Sequence, residues 1–168
     1  FPGAESNVRA KFVSIQGITS SWISLGGVSG VDEHSPDVVA GLDEGYVGWI
    51  EEGTGVQLAE LGQDEVTGAL VLIQQTLVAG HGAARSLALN QSHRLSARLF
   101  ATWIRDIGST DAISFAAWDV GDTPQPEPLY SSTRELDHVD CAARDNDDFF
   151  VVWDQQESGG LRDVLGIR

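Results

Sequence analysis

Along the whole chain, apolar and polar residues alternate in short stretches, and turn-forming residues close each stretch. Asp43-Glu44-Gly45, Gly53-Thr54-Gly55, Gly121-Asp122-Thr123-Pro124 and Ser158-Gly159-Gly160 are such closures. Residues of this kind supply the positive φ or fixed φ that a reversal needs. Helical periodicity is nearly absent. The best helical window, Val56–Leu72, is interrupted by Gly62 and Gly68 and reads as two strands. Phe149, Val151 and Trp153 share one side of a strand, and Phe150 and Val152 share the other. A strand that is apolar on both sides is covered on both sides, which predicts sheets stacked on sheets.

The stretches recur as a unit of about fifty residues. His34 precedes Trp49 by 15 residues, and His138 precedes Trp153 by 15; Tyr46 matches Phe150 and Val47 matches Val151. A middle copy runs from Arg85–Asn90 to Arg98–Trp103, with His81 as its displaced histidine. Each unit reads as four strands, A to D. Strand A is expected at Asp37–Gly41, Ser86–Asn90 and Val139–Ala143, and strand B at Tyr46–Glu51, Leu99–Arg105 and Phe149–Asp154. Strand C is expected at Val56–Leu61, Ala112–Asp119 and Leu161–Ile167, and strand D at Ala69–Val78 and Pro128–Leu136. The chain is thus read as one all-β repeat domain, 1–168. Its units are approximately 32–80, 81–136 and 137–168, with N-terminal strands inside 8–26.

A repeated four-stranded unit with a Trp on its second strand (Val47-Gly48-Trp49-Ile50-Glu51, Ala101-Thr102-Trp103-Ile104, Val151-Val152-Trp153-Asp154) resembles the blades of secreted bacterial β-propellers. It matches no named subfamily. The resemblance implies three blade-like antiparallel sheets; the alternative is a β-sandwich of about a dozen strands. A third D strand is missing. Ser21–Gly26 is expected to supply it, which leaves Val8–Gln16 as a spare C strand. Three blades are too few for a ring, since propellers close with about four to eight. The chain is therefore expected to form a homo-oligomer, such as a six-bladed ring from two copies, to be part of a larger propeller, or to stack by its edges.

Charge narrows the partners. Ten basic against 25 acidic residues give a net charge of −15, and Lys11 is the lone lysine. That argues against nucleic acid and anionic membrane surfaces, because both need clustered cations. Apolar runs are too short to cross a bilayer as helices. The single cysteine, Cys141, lies in an apolar stretch and reads as a small buried hydrophobe. The start at Phe1, without an initiator Met, fits a processed secreted product or an excised fragment, so an extracellular location is expected.

Candidate chemistry is sparse. His34, His81 and His138 recur just before strand A and either line a binding site or hold a sheet in place. Trp118 is a candidate sugar platform or a core residue. Asp145, Asp147 and Asp148 offer calcium oxygen ligands, and the same residues suit a hairpin turn; no other cofactor is implied. There is no Gly-x-Ser-x-Gly and no His-Glu-x-x-His, so no catalytic residue is assigned. The expected function is a non-enzymatic extracellular module that binds a protein, a glycan or its own copies. The alternative is a portion of a propeller-type polysaccharide hydrolase or lyase.

Overall fold

The computed structural model describes residues 7–13, 17, 19–26, 30–40, 44–80, 83–92, 98–144 and 148–168. Among them there is no helix, and every sheet is antiparallel. A short pair, β1 (Arg9–Ala10) and β2 (Ile23–Ser24), comes first. The first large sheet is β3 (Glu33–Ala40), β4 (Gly45–Glu51), β5 (Gly55–Gln63) and β6 (Leu70–Ala79), in that order. The second is β7 (Ala84–Gln91), β8 (Arg98–Asp106), β9 (Asp111–Asp119) and β10 (Glu127–Ser132). The third has three strands, β11 (Leu136–Ala143), β12 (Phe149–Gln156) and β13 (Arg162–Ile167). Each sheet is an up-and-down meander, because short turns bring sequence neighbours together at the lowest loop-closure cost.

The sheets stack in series, so three layers replace the two of a sandwich. First strands meet first strands: β3 lies against β7, and β7 against β11. One apolar core fills the space between the first and second sheets, with Ile50, Leu58, Leu87, Leu89 and Trp103 among its members. Another fills the space between the second and third, with Ile104, Ile113, Val139, Val151 and Trp153. A third joins Val8 and Leu25 to Trp49, Ala59 and Leu61. The tryptophan of each unit therefore points back at the preceding layer. For Trp49 that layer is the N-terminal pair. Burying an aromatic this size removes roughly 150–250 Å² from water, which makes the three tryptophans the main anchors of the stack.

Each first strand carries the same irregularity. The ladder skips between His34 and Asp37, between Arg85 and Leu87, and between Asp137 and Val139. Inside each skip one residue has positive φ: Ser35 at 51°, Ser86 at 52° and His138 at 44°. These are β-bulges with a left-handed residue, which sharpen the twist and turn the start of the strand. They also mark which residues of the repeat correspond. His138 is the counterpart of Ser35 and Ser86, and the counterparts of His34 are Arg85 and Asp137.

Two expectations need correction. Ser21–Gly26 does not complete the third sheet. β2 pairs with β1, the pair covers Trp49 at the opposite end of the stack, and β13 pairs with β12. The cause is proximity in sequence: two strands a short loop apart close on each other more readily than on a strand more than a hundred residues away. In addition, Leu136 opens β11 instead of ending a D strand, because its N–H is held by Asp111 Oδ2 at 2.8 Å.

Candidate functional site

Inter-sheet contacts set the pattern of the site. On each first strand, alternate side chains face forward to the next sheet and backward to the previous one. Asp37 faces forward: its Oδ1 accepts from Val38 N–H at 2.8 Å and its Oδ2 from Leu89 N–H, one sheet on, at 2.6 Å. Ser86 Oγ accepts from Val139 N–H at 2.9 Å. Asn90 clasps the third sheet at two points, donating to Cys141 O at 3.2 Å and accepting from Ala143 N–H at 3.1 Å. Arg85 donates to Asp111 Oδ2 at 2.5 Å and to Leu136 O at 3.0 Å. Such side-chain links carry the junctions between sheets that share no strand ladder.

Backward-facing residues are apolar: Leu87 and Leu89 in the second sheet, Val139 and Cys141 in the third. Cys141 is buried, and burial pushes its thiol up to about 12, with Asp140 and Asp37 adding to the effect. It is a packing residue, not a nucleophile.

The same two kinds of surface reappear uncovered at the ends of the stack. The forward face of the third sheet carries Asp140, Ala142, Phe150, Val152 and Asp154, beside Val164 of β13. Its counterparts in the first sheet (Tyr46, Gly48, Ile50) and second sheet (Phe100, Thr102, Ile104) are covered by the sheet that follows. Here Phe150 is 41% and Val152 43% exposed. The Arg168 guanidinium lies 5.8 Å from the Phe150 ring centre and is held by Asp148 Oδ2 at 2.5 Å.

At the other end, β1 and β2 cover only part of the backward face of the first sheet. A cleft of about 1400 Å³ remains beside them, lined by Arg9, Lys11, Pro36, Val38, Val47 and Leu61 among others. Val38, the counterpart of buried Leu89 and Cys141, is 67% exposed. Trp22 also lines the cleft, 63% exposed, with Lys11 Nζ 5.3 Å from its ring centre.

The residues singled out from sequence fall elsewhere. His34 sits on the first sheet, with Nδ1 3.1 Å from Ser35 Oγ. His138 sits on the third, with Nδ1 3.4 Å from both Asp137 Oδ2 and Asp154 Oδ2. The second sheet stands between them, so they form no common site. His81, Asp145 and Asp147 lie outside the described residues. Asp148 binds Arg168, whose hydrogen bond and charge hold that carboxyl below the ordinary carboxylate range. Trp118 is 6% exposed in the first core and presents no open ring face. Among the described residues, no group of three His, Cys, Asp or Glu could hold a metal ion.

Asp37, Ser86 and Asn90 were not singled out from the sequence. Their signal was a polar residue in a strand whose alternate positions are apolar. Comparison with family models, curated proteins and solved structures returned no match.

Proposed function

We propose that this chain is a propeller-like, non-enzymatic repeat module whose work is done at the open faces of its end sheets. One observation carries this reading. Phe150 and Val152 are exposed at positions whose counterparts in both earlier sheets are buried under another sheet. An exposed contiguous apolar face with a charged rim is the ordinary mark of an interaction surface. The partner this face fits best is another sheet of the same kind.

A glycan is the second reading, favoured by one feature. Trp22 offers an exposed indole at the cleft, and flat aromatic faces stack on sugar rings.

Fluorescence anisotropy of labelled chain titrated with unlabelled chain, run beside a panel of chromogenic polysaccharides, tests both. A rise in anisotropy with no turnover is expected. Turnover abolished by a single Asp→Asn change would overturn the non-enzymatic reading. A flat titration with no glycan bound would overturn the interaction reading.

A further inference from the structure

We infer that the two open faces are the two halves of one interface, so that copies of this chain dock head to tail, the forward face of the third sheet of one copy entering the cleft of the next. The inference rests on the interaction reading above and goes beyond it by naming the partner and the mode.

The interface already occurs twice inside the chain. In each case a forward face built on the second strand receives a backward face whose first strand brings two apolar residues, one on either side of a forward-facing residue. Leu87 and Leu89 press on Gly48: a Cβ there would stand 2.9 Å from Leu89 Cδ1 and 3.0 Å from Leu87 Cδ2. Val139 and Cys141 do the same against the second sheet, in one core with Ala88, Ile104 and Ile113, and Cys141 Sγ lies 3.8 Å from Ala88 O. At the open ends the corresponding residues are Pro36 and Val38 on the cleft side and Val152 on the other. They are present, apolar and uncovered.

One acceptor is left open on the forward face. Asp140 is the counterpart of Asp37. Its Oδ1 accepts from Cys141 N–H at 2.8 Å, as Asp37 Oδ1 does from Val38 N–H. Asp37 uses its second oxygen to reach the next sheet; the second oxygen of Asp140 makes no hydrogen bond among the described residues. Both faces carry mixed charge, Asp140, Asp154 and Arg168 on the one and Arg9, Lys11, Glu33, Asp37 and Glu44 on the other, so the apolar residues and not net charge carry the match. One junction bond is missing on both sides at once. Where Ser86 Oγ accepts from Val139 N–H, the open ends have His138 and Pro36, and Pro36 has no N–H to give. A head-to-tail contact uses different patches on each copy, so it propagates as a ring or a filament and does not stop at a two-fold dimer.

Two charge substitutions separate the ends. Val38→Asp blocks the cleft and leaves the third sheet intact; Val152→Asp blocks the third sheet and leaves the cleft intact. Each alone should sediment as an 18.0 kDa species. Mixed in equal amounts they should form a pair of twice that mass and nothing larger, bound within about tenfold of the wild-type affinity. Both positions are exposed, and circular dichroism checks that each variant is folded. As a second route, Val38→Cys and Val152→Cys copies should cross-link with each other and neither with itself, while buried Cys141 stays out of the reaction. If Val152→Asp alone abolishes association and Val152→Cys copies link to each other, the contact is face to face. Head-to-tail docking is then overturned while the interaction reading stands. If the wild type never associates and no cross-link forms, both fall.

Discussion

Asp37 and Leu89 belong to different sheets, yet the Asp37 carboxylate accepts the Leu89 backbone N–H at 2.6 Å. The side chain thereby does across layers what a backbone carbonyl does within one. Asp37→Ala leaves that N–H without its acceptor inside a packed junction. The expected cost is about 1–3 kcal/mol in chemical denaturation, with an unchanged dependence on denaturant. Asp37→Asn, which keeps an acceptor, should recover part of the loss.

At Gly48 the second sheet comes so near that a Cβ would stand 2.9 Å from Leu89 Cδ1 and 3.0 Å from Leu87 Cδ2. Gly48→Val is expected to cost about 1–3 kcal/mol, because its methyl groups would enter the space held by Leu87 and Leu89. Gly48→Ala should cost less, since the atoms it meets are the ends of flexible side chains. Thermal melts of the two variants check the order.

The indole N–H groups of Trp49, Trp103 and Trp153 are buried without a hydrogen-bond partner among the described residues. Their value therefore lies in volume and apolar area. Trp103→Ala should cost about 3–5 kcal/mol, whereas Trp103→Phe, which keeps a ring and removes the orphan donor, should cost clearly less. A Trp103→Phe cost equal to that of Trp103→Ala would contradict the view that buried ring volume carries the contribution.

Tyr46 sets an alkaline limit. Burial, with the charges of Glu60 and Glu44, pushes its phenol up to about 12. The folded form keeps its proton while the unfolded chain, with a phenol near 10.0, loses it. Its contribution is whole below pH 10 and is lost as pH rises through 12. Tyr46 Oη has no hydrogen-bond partner among the described residues, so Tyr46→Phe should leave neutral-pH stability within about 0.5 kcal/mol of wild type. The same change should flatten the decline between pH 10 and 12, as measured by denaturation at each pH.

Strand B was the most legible part of the sequence. Its apolar residues alternate around a tryptophan, and Trp49, Trp103 and Trp153 fall near the middle of β4, β8 and β12 as the spacing predicts. Strand A was less so. In the first unit it was expected only from Asp37 onward, but a bulge lets β3 begin at Glu33. The misalignment of His34 with His138 has another source: the turn after the first strand is one residue longer in the third unit, Ala143 pairing with Phe149 where Ala40 pairs with Gly45. Pairing of the N-terminal strands was illegible for another reason. An apolar stretch such as Ser21–Gly26 says that it needs a partner and not which sheet edge supplies one. For the same reason the candidate site emerged only from comparing equivalent positions. Val38, Val152 and their buried counterparts look alike in sequence and differ only in what covers them.

Sedimentation velocity of the wild-type chain from micromolar to millimolar concentration tests the central claim most directly. Reversible growth from 18.0 kDa into a series of larger species, suppressed by Val152→Asp, is the predicted result. A fixed 18.0 kDa monomer at every concentration, indifferent to that substitution, would contradict it.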